Sequence, residues 1–128
     1  MTFDWTQGDL AKGLRRYNAA EYFAAHESWE AVWLTAPPAD KPFLQGLIQV
    51  TAAFEHQRRH NLLGTHRLLT NALRRLDTYP PVYGNLDLTQ LRADLRSRLA
   101  SLEENPANPV APIPIRPLHS GAQSIAQR

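Results

Sequence analysis

A chain of 128 residues has room for one domain with a modest core. The absence of cysteine excludes a disulfide framework and thiolate metal ligation. A formal net charge of +2 is too small to imply a nucleic-acid partner, although residues 1–56 carry 4 basic and 7 acidic groups while residues 57–128 carry 10 and 5; arginines on helices are commonly a solvated face.

The start has neither a basic leader nor a long apolar run, so a cytoplasmic protein without a membrane span is expected. Residues 1–8 read as an N-terminal arm, with Phe3 and Trp5 suited equally to packing down or to a free end. Asp9 is a plausible N-cap for a helix from Leu10 to Tyr17. At Asn18 that helix either ends or continues through Ala19 and Ala20, and propensity permits both. A second helix runs to about Thr35, where Pro37 and Pro38 stop it.

Asp40 is placed to cap a third helix, Lys41 to about His60, with Pro42 in its first turn. Phe43, Leu47, Val50 and Phe54 form its stripe, widened by Leu44 and Ile48, so it belongs at the centre of a bundle. Gly46, Ala52 and Ala53 permit close approach of a neighbouring helix or a seam in a homo-oligomer. Asn61 recaps a fourth helix, Leu62 to about Asp77, with Leu69, Ala72, Leu73 and Leu76 inward and Arg67, Asn71 and Arg74 outward. Gly64 in its first turn suggests a close backbone approach.

Residues 79–85 form a turn-rich crossing loop. Asp87 and Gln90 then open a fifth helix that turns Leu88, Leu91, Leu95, Leu99 and Leu102 inward as far as about Glu104. Prolines at 106, 109, 112, 114 and 117 give residues 105–128 the character of an extended, disordered tail. No alternating strand pattern occurs. The fold class is all-α: a compact bundle of about five helices over residues 9–104, with an arm before it and a Pro-rich tail after it.

Two polar features interrupt this apolar pattern. On a helix turning about 100° per residue, Trp29, Tyr22, Trp33, His26, Glu30 and Phe23 share one arc, with Ser28 opposite and Glu27 at the border. His26 and Glu30 are thus expected on a buried face. The third helix carries a polar line, Gln45, Gln49 and His56. If the two lines meet, Tyr22, His26, Glu30, Trp33, Gln45, Gln49 and His56 enclose a semi-buried pocket for a small molecule or a protein partner.

His26, Glu30 and His56 also supply a two-histidine, one-carboxylate set suited to a divalent metal such as zinc or iron, which would make a hydrolase-like enzyme. The order H-E-x-x-E lacks the second histidine of the H-E-x-x-H zinc peptidases. A third reading is a purely structural network that fixes helix register. His60, His66 and His119 read as incidental, and no G-x-S-x-G stretch accompanies Ser28.

Tyr17-Asn18, Tyr22-Phe23, Ala25-His26-Glu27-x-x-Glu30-x-x-Trp33, Leu44-Gln45-Gly46-Leu47-Ile48-Gln49 and Asn61-x-x-Gly64 together resemble the domain-of-unknown-function 309 family over roughly residues 9–103. The resemblance implies a small prokaryotic helical bundle with His26, Glu27, Glu30, Trp33, Gly46 and Gln49 as signature residues. It also implies a turn near Asn18–Ala20, where family members often carry Gly and this chain has Ala20. It adds no reaction.

Overall fold

The computed structural model describes residues 1–118. Five helices follow one another as α1 (Gly8–Asn18), α2 (Tyr22–Thr35), α3 (Lys41–Arg58), α4 (Leu62–Leu76) and α5 (Leu88–Glu104). Each packs chiefly on its neighbours in sequence, with α3 between α2 and α4. Phe43, Leu44, Leu47, Val50, Ala53 and Phe54 of α3 are all buried, as its nearly continuous apolar surface requires. No described helix is long and apolar enough to cross a membrane.

The α1–α2 junction is a true break. Ala20 takes the left-handed conformation at φ 63°, and Glu21 N–H closes the turn onto Arg16 C=O at 2.8 Å. A side chain with Cβ pays about 1–2 kcal/mol for that conformation. The turn implied by the family resemblance is therefore kept without the glycine that would relieve it.

Two local expectations are corrected, and one that the sequence left open is decided. Asp40 stands before α3 but makes no side-chain cap; its carboxylate instead accepts from the Tyr83 hydroxyl and from the amino group of Met1. Burial alone would raise the Asp40 pKa, yet these bonds outweigh it and hold the carboxyl below its usual value. The 79–85 loop forms, together with the two residues after it, a short hairpin, β1 (Val82–Tyr83) with β2 (Leu86–Asp87), antiparallel with Tyr83 opposite Leu86. Gly84 and Asn85, both at positive φ, make its two-residue turn. Strands this short leave no alternation to read. The arm is packed down: Phe3 meets Phe43 edge-on at 5.2 Å, and Trp5 Nε1–H donates to Gly84 C=O at 2.8 Å.

The largest correction concerns the tail. After a turn closed by Asn108 N–H on Asn105 C=O at 3.1 Å, residues 109–118 run as an extended strap held against the bundle. Ile113 is fully buried and Ile115 nearly so. Gln57 both donates to Val110 C=O (2.8 Å) and accepts from Val110 N–H (3.0 Å). Asn18 grips Ile115 in the same way, at 3.0 and 3.3 Å. Tyr17 donates its hydroxyl to Ile113 C=O, and Arg98 reaches the carbonyls of Ala111 and Pro112. Proline removes helix here without removing docking, because side-chain amides satisfy the extended backbone. The rest of the expected disordered tail, residues 119–128 with His119, lies outside the described residues.

Candidate functional site

The orientation of α2 decides where the candidate residues stand. Its buried residues are Tyr22, Ala25, Ser28 and Trp29. That face centres on Ala25 rather than His26, a turn of about 100° from the arc expected from the aromatic residues. Ser28, expected outside, is 5% exposed and accepts from Arg16 of α1 at 2.9 Å. Trp29 lies against the backbone of α1 and donates its indole N–H to Leu10 C=O at 3.1 Å. A Cβ on Gly13 would come within 2.3 Å of that ring. The bare backbone of α1 thus draws Trp29 towards it and rolls α2 accordingly.

The consequence for the H-E-x-x-E stretch is direct. Glu27 and Glu30 are exposed and His26 is only half-buried. Phe23, assigned to the buried arc, is 58% exposed, and Leu34 one helical face along is 63% exposed. The expected burial of Glu30 is therefore incorrect, and no buried carboxylate needs a partner. Among the described residues, none of His26, Glu27 and Glu30 joins an ion pair.

The edge of α2 that carries Tyr22, His26 and Trp33 is the one beside α3. Tyr22 at the start of α2 meets Phe54 (ring centroids 5.9 Å apart) near the end of α3, and its ring lies under Arg58. Trp33 at the other end lies under the Lys41 ammonium, 4.4 Å from the ring centre. The two helices are therefore antiparallel. Burial raises the Tyr22 pKa, with the Arg58 charge opposing it.

The polar line of α3 leans the other way, towards α4. Gln49 accepts from Arg75 Nε–H at 3.1 Å. His56 sits 2.9 Å from the Asn61 side-chain amide, whose oxygen caps α4 by accepting from Gly64 N–H at 2.9 Å. With that oxygen taken, the amide donates, so His56 Nδ1 accepts and its lone pair is spent. A Cβ on Gly64 would lie 3.0 Å from His56 Nδ1 and 2.7 Å from Asn61 Nδ2. This is the close approach that a glycine in a first helical turn suggested. Gln45 is half-buried one turn before Gln49 on the same line.

The seven pocket candidates thus divide. Tyr22, His26 and Trp33 stand at the α2 edge, Glu30 is exposed on α2, Gln45 is half-buried on α3, and Gln49 and His56 are engaged with α4 or its cap. His26, Glu30 and His56 are not gathered as ligands: no group of three His, Cys, Asp or Glu side chains that could hold a metal occurs among the described residues.

Sequence reasoning missed two features. One is the aromatic and acidic cluster of Tyr79, Tyr83, Phe43 and Asp40, in which the bond to the Asp40 carboxylate pushes the Tyr83 pKa up to about 12. The other is a cleft of about 570 Å³ between α3 and α4, lined by Pro42, Gln49, Asn71, Arg74, Arg75 and Thr78. The outward setting of Arg74 on α4 was readable; its facing Gln49 across the groove was not.

By fold and surface this is a small helical-bundle protein with its distinctive polar residues outside the core. Residues 10–68, from α1 into α4, match the family model described as Domain of unknown function (DUF309). The chain is also similar to "Uncharacterized protein YpuF" of Bacillus subtilis (strain 168), with 40% identity over 55 residues. That match takes in 42% of this chain and spans 32% of the relative's length.

Proposed function

We propose that the protein is a partner-binding module whose outer α2 face docks a basic, partly apolar segment of another protein. The observation that carries this reading is that Phe23 and Leu34, two large exposed apolar side chains about three turns apart, flank Glu27 and Glu30 on one helix face. Large apolar groups gathered at the surface mark contact sites more often than singly scattered ones do. The charge of the partner follows from α2 itself. Between Arg16 and Lys41 the chain has no Lys or Arg, while Glu21, Glu27 and Glu30 all face solvent.

His26 and Trp33 border this face at the α3 edge, so the proposed binding site is an open surface, built partly from residues of the expected pocket. The whole face lies within the family-matched segment. A photo-cross-linking residue at Phe23, tested in cells, addresses the proposal. A discrete adduct that disappears in Glu27→Lys/Glu30→Lys, with the melting temperature unchanged, is expected. An adduct pattern indifferent to that charge reversal would remove the basis for the reading.

A further inference from the structure

We propose a second, separate site: the α3–α4 cleft binds the phosphate group of a small phosphorylated organic molecule. Arg74 and Arg75, adjacent on the last turns of α4, both border the cleft. Each is held by a neutral amide rather than by a carboxylate. Arg75 donates Nε–H to Gln49 Oε1 at 3.1 Å, and Arg74 donates to Asn71 Oδ1. An amide acceptor orients a guanidinium and leaves its charge uncompensated and its other N–H donors free.

The nearest acid along the chain is already committed. Asp77 pairs with Arg96 at 3.0 Å and with Arg92 at 3.7 Å, both on α5. No carboxylate lines the cleft, and neither Arg74 nor Arg75 is in an ion pair among the described residues. Two oriented guanidinium forks at one opening match the planar, bidentate recognition of phosphate oxygens. The volume of about 570 Å³ falls within the range of small-molecule sites and exceeds what a bare anion fills. Thr78 and Asn71 offer hydrogen bonds to an organic body, and Pro42 offers it an apolar wall.

Gln49 has a role in this site that its position on the central helix would not suggest. It fixes the plane of the Arg75 guanidinium across the groove, so it acts as a positioning residue. The cleft lies on the α4 side of α3, away from the outer α2 face, and the two proposals stand or fall separately.

The test is a titration of the full chain, ¹⁵N-labelled, with AMP and with inorganic phosphate at constant ionic strength, reading the arginine Nε–H signals. Saturable shifts confined to Arg74 and Arg75 are expected, with AMP binding more tightly than inorganic phosphate. Arg74→Gln and Arg75→Gln should each weaken AMP binding about tenfold. Gln49→Leu should weaken it less and broaden the Arg75 signal, while Arg96→Gln should leave it unchanged, with melting temperatures confirming that each variant is folded. Equal shifts at Arg59 and Arg67, equal affinity for AMP and inorganic phosphate, or full binding by Arg75→Gln would each overturn the proposal.

Discussion

The two sides of α3 use polar side chains in opposite ways. Towards α4, Gln49 accepts from Arg75 and His56 accepts from the Asn61 amide, and Gly64 is bare so that His56 and Asn61 fit. Towards α2, His26, Glu27 and Glu30 stand at or beyond the edge of the packed face, beside exposed Phe23 and Leu34. Residues of one family-like signature therefore divide into a group that builds the fold and a group the fold does not use. The strap extends the first group: Asn18 and Gln57 are polar residues given over to holding residues 110–115 in place.

That contrast can be broken by mutation. Ile113→Ala should have the largest effect, about 2–5 kcal/mol of lost stability in denaturant unfolding, because a fully buried anchor leaves a cavity under the strap. The alkaline limb comes next. Tyr83 has a folded pKa raised to about 12, so its contribution is complete below its ordinary value of 10.0 and is lost as pH climbs through about 12. Tyr83→Phe should flatten that limb in a stability–pH profile. Asn61→Ala should cost about 1 kcal/mol through the lost α4 cap. Ala20→Gly should stabilise by about 1 kcal/mol through relief of the left-handed backbone, measured as a rise in the urea midpoint. Glu30→Gln, on the unused side, should move stability by no more than about 0.5 kcal/mol.

Much of this division could be read from the chain. The proline stops, the caps at Asn61 and Asp87, the buried α3 and the five leucines of α5 all stand where local chemistry put them. These signals are local, and local signals survive folding. The rotation of α2 was not legible because it depends on a residue of another helix. Gly13 opens a space that Trp29 fills, and Ser28 is drawn in by Arg16. Counting aromatic residues weighted the wrong side of the helix by about one residue step.

The strap was obscured for a different reason. Proline density reports what the backbone cannot form and is silent about what it lies against. The alternation of Ile113 and Ile115, two residues that share one face of an extended chain, was the available signal. The cleft at Arg74 and Arg75 required knowing that the polar line of α3 turns towards α4, which no single-helix pattern contains.

The carboxylate face of α2 is turned to solvent, and this can be read chemically. The chain has no cysteine, so single substitutions report accessibility cleanly. Maleimide labelling of folded Glu30→Cys, compared with Ser28→Cys, is the most direct measurement. Rapid modification at position 30 and strong protection at position 28 are expected. Protection at position 30 with rapid modification at position 28 would contradict that orientation.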